Sequence, residues 1–334
     1  MLALCEGIGM GAPLLLVENL KKYFEIRKGF LGKKVYLRAV DGVSLTLARG
    51  ETIAIVGESG CGKTTLGKTI LRLYEPTDGR IIFDGRDITH LKWKDLKWYR
   101  CETGLVQQDP FGALPPFMTV RRILEEPLII NGIKSKRERE EKVYRALERV
   151  KLTPIEDFIN KYPHMLSGGQ QQRLVIARAT ILEPKMVVAD EPVSMLDASV
   201  RIEILKLLQE LQYKYNQSII YITHDLSTTK YFSERIYIMY AAQIIESAGT
   251  SELLQNPMHP YTKALLNVIP DPDPNNRFII KDVPAGEPPN LMSPPLGCRF
   301  HPRCPNFMKG VCDVKEPPTI EVTKDHYVMC WLYG

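Results

Sequence analysis

The chain lacks the features of several protein classes. No apolar run reaches the roughly 18 to 20 residues that a membrane-spanning helix needs. The N-terminal segment has no basic region and carries Glu6, so it makes a poor signal peptide. The 44 basic residues barely exceed the 39 acidic ones, and the densest charged segment, 134–145, mixes both signs as a solvated helix face does. We therefore expect a cytoplasmic protein that binds no nucleic acid, with its start at either Met1 or Met10.

Cysteines are few and unevenly placed. Three of the seven are scattered, whereas the others crowd near the C-terminus: Cys298, Cys304, Cys312 and Cys330. In a reducing compartment disulfides are not expected, and a clustered set indicates a metal site. The spacing, C-x5-C-P-x6-C-x17-C, has none of the close pairs typical of structural zinc and differs from common ferredoxin patterns. The Cys-Pro step slightly favours an iron–sulfur site, and zinc stays open.

One stretch, Thr52 to Leu73, predicts a phosphate-binding loop (P-loop). The apolar, β-branched residues 52–57 indicate a strand, GESGCGKT follows, and an apolar-periodic helix begins at Lys63. This is the G-x-x-x-x-G-K-[ST] pattern between the strand and the helix that the motif requires. Its glycines let successive N–H groups turn inward around a phosphate. Lys63 can reach the β- and γ-phosphates and the Thr64 hydroxyl can ligate Mg²⁺, so the sequence predicts a nucleoside-triphosphate site.

A second glycine-rich motif, LSGGQ, begins an amphipathic helix. Ser167 and Gln170 fit the S-x-x-Q pattern of a capping box, which gives the serine a structural role. The cap does not explain Gly168 and Gly169, because glycine is a poor helix former. Two glycines at a helix N-terminus let a phosphate approach closely, so we interpret the motif as functional.

Polar side chains stand at the ends of three predicted strands. The segments VQQDP, VVADEP and YITHDL end apolar strands at Gln107 or Gln108, at Asp190 with Glu191, and at His224. Ligands of open α/β sheets bind at the carboxyl ends of the strands, and a P-loop site needs an acid associated with Mg²⁺ on a neighbouring strand. We therefore expect these side chains to serve the nucleotide.

The predicted elements alternate in the way typical of a doubly wound α/β sheet. Between the strands, the pattern predicts helices over 91–100, 119–149 and 199–214, the last capped by Asp197. Proline-rich residues 271–297 predict an extended linker.

The motifs GESGCGKT, VQQDP, LSGGQ, VVADE, SMLD and a lone His occur in one order. From about Leu14 to Pro270 the chain thereby resembles the nucleotide-binding subunit of an ATP-binding cassette (ABC) transporter, and LSGGQ argues against a simple P-loop kinase or GTPase. NPMHPYTKALL and GCRFHPRCP are similar to the C-terminal extension of the oligopeptide/dipeptide importer ATPases, a family in which nickel is a variant substrate.

This resemblance implies an α/β fold and a division of the chain. The fold is a P-loop NTPase ABC nucleotide-binding domain, with a RecA-like core, an antiparallel β part and a helical subdomain, plus a small Cys-rich C-terminal extension. The implied boundaries are 1–13 for an N-terminal extension, 14–270 for the ATPase domain with its helical subdomain at about 109–183, and 271–334 for the linker and four-cysteine region.

The resemblance also implies a role for each matching residue. Nucleotide contacts come from Phe24 (with Tyr23 second), Gly57, Ser59, Gly60, Cys61, Gly62, Lys63, Thr64, Thr65, Gln108 and Asp190. Mg²⁺ is associated with Thr64, Gln108 and Asp190. Glu191 is the general base, and His224 contacts the γ-phosphate. The residues that would contact ATP held by a partner subunit are Ser167, Gly168, Gly169, Gln170 and Asp197. Met195 stands where the family usually has Ala, at an interface position that leaves the chemistry intact.

For the cysteines, the resemblance favours a [4Fe–4S] cluster held by Cys298, Cys304, Cys312 and Cys330 over zinc. Its expected role is structural, and His301 and His326 are lesser candidates as ligands.

The implied activity is ATP hydrolysis that energises uptake of di- or oligopeptides. The implied partners are transmembrane permease subunits, a second ATPase in a head-to-tail dimer, expected to be a heterodimer, and an extracytoplasmic substrate-binding protein. The chain would lie at the cytoplasmic face of the cell membrane. The alternative is a non-transport ABC ATPase with an iron–sulfur region, in translation or DNA repair. The single cassette, the missing coiled-coil insertion between Gly57 and Ser167 and the absence of a basic patch argue against it.

Overall fold

A computed structural model describes residues 12–27, 34–268 and 286–334. The expected N-terminal extension up to residue 11, both candidate start methionines and residues 271–285 of the predicted linker lie outside the described residues.

The described residues form twelve strands and ten α-helices. The strands are β1 Leu15–Arg27, β2 Lys34–Leu47, β3 Thr52–Val56, β4 Asp78–Phe83, β5 Arg86–Asp87, β6 Thr103–Val106, β7 Met186–Asp190, β8 Ser218–Thr223, β9 Arg235–Tyr240, β10 Gln243–Gly249, β11 Thr319–Thr323 and β12 His326–Met329. The α-helices are α1 Lys63–Ile70, α2 Lys97–Cys101, α3 Pro110–Ala113, α4 Val120–Ile130, α5 Lys136–Arg149, α6 Gly168–Thr180, α7 Ala198–Tyr215, α8 Leu226–Thr229, α9 Thr250–Gln255 and α10 Pro260–Val268.

The chain divides into two compact units. The first contains the described residues of 1–48, 52–90 and 222–334, and the second contains 49–51 and 91–221.

The first unit contains an antiparallel sheet and the strand that precedes the P-loop. The antiparallel sheet has the order β2-β1-β4-β5. A second set of strands has the order β11-β12-β10-β9-β3, in which β3 and β9 are parallel and the others antiparallel. All five residues of β3 are buried. A strand buried on both faces reads as a continuous apolar run, and it gives the P-loop a fixed starting point.

The second unit combines the parallel pair β6 and β7 with the helices α2 to α7. Every residue of β7 is buried, as its apolar sequence predicts. The stretch predicted to be helical, 119–149, forms two helices, α4 and α5. Gly132 has a φ of 88°, in the left-handed region where a helix stops, and Ser135 caps the second helix through the Glu138 N–H.

Two other predicted helices differ in their starts. The helix predicted over 91–100 begins only at Lys97, after turns. The helix predicted from residue 199 begins at Ala198, with Asp197 in the N-cap position, but the Asp197 side chain makes no capping hydrogen bond.

The C-terminal residues of the first unit attach through a buried histidine and carboxylate. Nε2 of His326, on β12, lies 2.8 Å from Oε1 of Glu246 on β10, and both side chains are fully buried. The same carboxylate accepts the N–H groups of Met258 and His259 at 2.7 and 2.9 Å. Buried polar groups are costly unless they are hydrogen-bonded, so this shared acceptor holds the β11–β12 hairpin and the segment before α10 to β10.

His259 predicts an acid sensitivity of this region. Burial lowers the pKa of His259 to about 3, and its Nδ1 accepts the Tyr261 N–H at 3.0 Å. The unfolded histidine binds a proton below about pH 6.5, whereas the folded one stays neutral until about pH 3. The stability from this group is therefore complete above pH 6.5 and falls as the pH drops toward 3, by about 1.4 kcal/mol per pH unit.

We expect His259→Asn, which keeps an acceptor for the Tyr261 N–H, to remove that slope. Urea unfolding at several pH values between 7 and 4 gives the free energy of unfolding of wild type and variant. The difference between the two pH profiles isolates the contribution of His259, because the other titratable groups are shared. Parallel pH profiles would contradict the prediction.

Candidate functional site

The P-loop of the first unit is tightly wound. Gly60 and Gly62 have φ values of 78° and 111°, both in the left-handed region that favours glycine. Gly57 is required for a different reason, because a Cβ there would lie 2.1 Å from the backbone oxygen of Met239 on β9. The buried Lys63 directs its Nζ to the carbonyl oxygens of Gly57 and Glu58, at 2.7 and 2.9 Å.

The outer residues of this loop face solvent, and its thiol does not. Ser59, Gly60 and Thr64 are exposed, and Gly62 and Thr65 are half-buried. Cys61 is buried, and burial raises the pKa of its thiol, so that it stays neutral. The loop can therefore present N–H groups, a lysine and hydroxyls to an anion.

The aromatic candidates on β1 differ in what they contact. The Tyr23 hydroxyl donates to Asp41, whereas the Phe24 ring meets Tyr74 edge-on with centroids 5.3 Å apart and lies 4.8 Å from the Lys22 Nζ. Both side chains are half-buried. Both side chains therefore have partners within the first unit. His224, also in the first unit, is exposed directly after β8.

The second unit brings Gln108 and Glu191 together. Gln108 Nε2 donates to Glu191 Oε2 at 3.2 Å, and this bond supports Gln108 over Gln107 as the relevant glutamine. Asp190 is buried at the end of β7, and Glu191 follows with a φ of 45°. A non-glycine residue in the left-handed region carries strain, and such residues concentrate at functional sites. The site can therefore hold an acid for a metal and an acid for a proton side by side.

The LSGGQ segment forms the predicted capping box at the start of α6. Ser167 Oγ accepts the Gln170 N–H at 3.4 Å, and Gln170 Oε1 accepts the Ser167 N–H at 3.0 Å. The second glycine has a packing reason that the sequence did not reveal. A Cβ on Gly169 would lie 2.7 Å from Cγ1 of Val200 on α7, whereas one on Gly168 would make only an ordinary contact. Ser167, Asp197 and Met195 are exposed, and Gly168, Gly169 and Gln170 are half-buried.

The four C-terminal cysteines lie within electrostatic range of one another. Burial raises the pKa of the Cys298 thiol to about 11, and Cys330, Cys312 and Cys304 add to the rise. The donor chemistry, four thiols, fits a soft metal. Among the described residues, however, no three His, Cys, Asp or Glu side chains are arranged to hold a metal ion. The structure of the described residues therefore gives the iron–sulfur prediction no support.

The two histidines considered as lesser ligands have other partners. His301 Nδ1 lies 2.9 Å from the Cys298 carbonyl oxygen, and its ring stacks on Phe307 with centroids 5.5 Å apart. His326 pairs with Glu246, as described above.

Sequence reasoning missed a set of contacts that the C-terminal residues make with the P-loop. Arg303 Nη1 lies 3.0 Å from Oε2 and 3.3 Å from Oε1 of Glu58, the residue after Gly57. The Tyr261 hydroxyl accepts the Glu58 N–H at 3.0 Å. Charge alone did not distinguish Arg303 from the many other basic residues, and the only signal was its place in GCRFHPRCP.

None of the helices in the three described ranges is both long and apolar enough to cross a membrane.

Two protein families match the chain in separate regions. The ABC transporter family matches residues 40–194, which include the P-loop, LSGGQ and the Asp190-Glu191 pair. The family described as "Oligopeptide/dipeptide transporter, C-terminal region" matches residues 245–312.

Relatives of known name match nearly the whole chain. The oligopeptide transport ATP-binding protein AppF of Bacillus subtilis is 45% identical over 96% of this chain and 98% of its own length. The dipeptide transport ATP-binding protein DppF of Haemophilus influenzae is 45% identical over 96% of each. A solved dimeric ATP-binding cassette, MJ0796 bound to ADP and Pi, superposes with a TM-score of 0.63 at 30% identity, over 71% of this chain and 98% of that one. The predicted fold class is confirmed, and the chain belongs to the ATP-binding proteins of the ABC transporter family, in its oligopeptide/dipeptide branch.

Proposed function

We propose that this chain is the ATP-hydrolysing subunit of an importer that takes up di- or oligopeptides through a separate permease. Identity of 45% to AppF over 96% of the chain, including the C-terminal region typical of this branch, carries the proposal. The P-loop geometry supports it, because the loop exposes Thr64 and holds Lys63 where a triphosphate would bind. We keep the boundaries 1–13, 14–270 and 271–334, with the helical subdomain at about 109–183, as part of the proposal.

Each site residue takes a role that its position permits. In the first unit, Gly57 and residues Ser59 to Thr65 hold the phosphates, Phe24 stacks on the base and His224 contacts the γ-phosphate. In the second unit, Asp190 and Gln108 orient Mg²⁺. In the first unit, the Thr64 hydroxyl ligates Mg²⁺. When bound, Mg²⁺ neutralises charge that develops on the phosphates. Glu191 accepts the proton of the attacking water.

The site is completed by a second ATPase subunit. The solved cassette that this chain resembles is a dimer. Ser167, Asp197 and the half-buried residues Gly168 to Gln170 are accessible in this chain, as contacts in trans to a partner's nucleotide require. We propose a head-to-tail dimer with a related ATPase, in which the residues of LSGGQ and Asp197 contact the ATP held by the partner.

The segment after Gln108 has the surface expected for a permease contact. Phe111 and Phe117 of the second unit are 63% and 91% exposed. Aromatic side chains are enriched at the buried centres of protein interfaces. We propose that this surface docks a permease at the cytoplasmic face of the membrane, and that a separate extracytoplasmic binding protein delivers the peptide.

We also propose that Cys298, Cys304, Cys312 and Cys330 hold a [4Fe–4S] cluster with a structural role. The support for this proposal is the donor chemistry, because four thiols within the last 37 residues supply the soft ligands that such a cluster takes. Protein purified without oxygen is expected to be brown and to contain iron and acid-labile sulfide in about fourfold amounts. A colourless preparation with stoichiometric zinc would assign the site to zinc instead.

Deletion of the gene tests the transport function. Uptake of labelled di- and oligopeptides is expected to stop and to return with the wild-type gene but not with a Lys63→Ala copy, which lacks the phosphate contact. Nickel uptake is measured in the same strains. Loss of nickel uptake with unchanged peptide uptake would identify nickel, and not peptides, as the substrate. Unchanged peptide uptake, together with an ATPase that duplex DNA or RNA stimulates, would favour the non-transport alternative.

A further inference from the structure

The C-terminal region reaches the P-loop through Arg303. The guanidinium contacts both carboxylate oxygens of Glu58 at 3.0 and 3.3 Å, and its side chain is 9% exposed. The same Nη1 lies 3.4 Å from the Tyr240 hydroxyl. This places a cation from near the end of the chain on an acid inside the loop that would hold a triphosphate.

The backbone of Glu58 is held as well as its side chain. Its N–H donates to the hydroxyl of Tyr261, on α10, at 3.0 Å. Its carbonyl oxygen accepts Lys63 Nζ at 2.9 Å. The residue that connects Gly57 to the rest of the loop is therefore fixed at its amide, its carbonyl and its carboxylate.

The groups that hold Glu58 are themselves rigid. The rings of Tyr261, Tyr240 and Phe300 are fully buried and lie with their centroids 4.6 to 5.5 Å apart. Arg303 ends a short 3-10 helix, and its N–H donates to the Phe300 carbonyl at 2.9 Å. The aromatic cluster and the helical turn therefore present Arg303 and the Tyr261 hydroxyl from one packed surface.

Because Glu58 is an acid, its contact with Arg303 should affect the affinity of the P-loop for ATP. A carboxylate beside a triphosphate site repels the ligand unless a cation pairs with it. Arg303 is such a cation, and its Nη1 alone reaches both carboxylate oxygens. We propose that Arg303 and Tyr261 are positioning residues for the P-loop, and that the C-terminal region thereby raises the affinity of this chain for MgATP.

This inference rests on the proposed nucleotide site and not on the transported substrate. The test measures the Kd of the full-length chain for MgATP, by titration with a fluorescent ATP analogue. For Arg303→Ala we expect the Kd to rise about threefold to tenfold, because an unpaired carboxylate remains beside the phosphates. In ATPase assays the change should appear in KM, with kcat largely kept, since no group that reacts is removed.

A second substitution distinguishes the loss of charge pairing from a general loss of structure in the P-loop. Adding Glu58→Gln to Arg303→Ala removes the unpaired charge, so the double variant should bind MgATP nearly as well as wild type. Arg303→Lys should recover part of the loss. Tyr261→Phe deletes only the hydroxyl and should also raise the Kd for MgATP. This variant tests the inference independently if Arg303→Ala folds poorly.

Arg299 provides a matched control. It is a buried arginine four positions earlier, and it contacts Asp41 and the Ala241 carbonyl oxygen instead of Glu58. Any effect of Arg299→Ala should be the same in the wild-type and Glu58→Gln backgrounds. An Arg303→Ala loss that Glu58→Gln does not reduce, or an unchanged Kd, would overturn the inference and leave the proposed function standing. A wild-type chain that binds no ATP would overturn both.

Discussion

Replacing Glu191 with Gln is expected to abolish ATP turnover while leaving ATP binding and ATP-dependent dimerisation intact. In its proposed role the carboxylate accepts the proton of the attacking water, which an amide of the same size cannot do. The bond that Gln108 Nε2 donates to Glu191 Oε2 can pass to the amide oxygen, so the local geometry is kept. Loss of a positioned general base lowers the rate by about 10²- to 10⁴-fold. Phosphate release measures turnover, and size-exclusion chromatography with ATP measures the dimer.

Glu183→Gln is the matched control for this change. Glu183 lies in the same unit, also has a left-handed φ of 57°, and pairs with Arg149 at the surface. Exposed ion pairs contribute only about 0 to 1 kcal/mol, so this variant should keep full turnover. Hydrolysis by Glu191→Gln at the wild-type rate would contradict the general-base assignment. Loss of dimerisation in the same variant would show that Glu191 has a structural role.

The parts of the site that the sequence predicted are those that local patterns determine. The strand before the P-loop is a continuous apolar run, and the glycines with left-handed φ stand at fixed places in the motif. The capping box at Ser167 involves residues three positions apart, within one helical turn. The same local logic located Asp190 and Glu191 at the end of β7.

The sequence did not reveal contacts between residues far apart in the chain. Glu58 and Arg303 are 245 positions apart, and neither belongs to a periodic pattern that would pair them. The need for glycine at position 169 was likewise read only as room for a phosphate, because the approach of Val200 depends on how α6 meets α7. The break within the helical stretch 119–149 was not predicted either, because the helical periodicity continues across Gly132, whose φ is left-handed.

Replacing Gly62 with Ala is expected to remove most of the ATP affinity. Gly62 has a φ of 111° and is the N-cap of α1, and a Cβ there would lie 2.1 Å from the backbone oxygen of Ala39. The left-handed backbone costs an L-residue about 1–2 kcal/mol. The clash with a backbone atom forces a displacement that costs roughly 1–3 kcal/mol more. If the loop moves to relieve both, its N–H groups leave the phosphates, and the Kd for MgATP should rise by at least about thirtyfold.

Two other glycines serve as controls, because alanine at either position would be strained by a left-handed φ but would meet no steric clash. Gly60, in the same loop, has a φ of 78°, and Gly85, in the turn between β4 and β5, has a φ of 74°; nothing lies within 4 Å of a Cβ at either position. Gly60→Ala should therefore raise the Kd by about thirtyfold or less, from left-handed strain alone. Gly85→Ala should lower the unfolding free energy by about 1–2 kcal/mol and leave the Kd unchanged. Equal losses of affinity in Gly60→Ala and Gly62→Ala would contradict the role assigned to the Ala39 contact, because the two variants share the strain and differ in the clash.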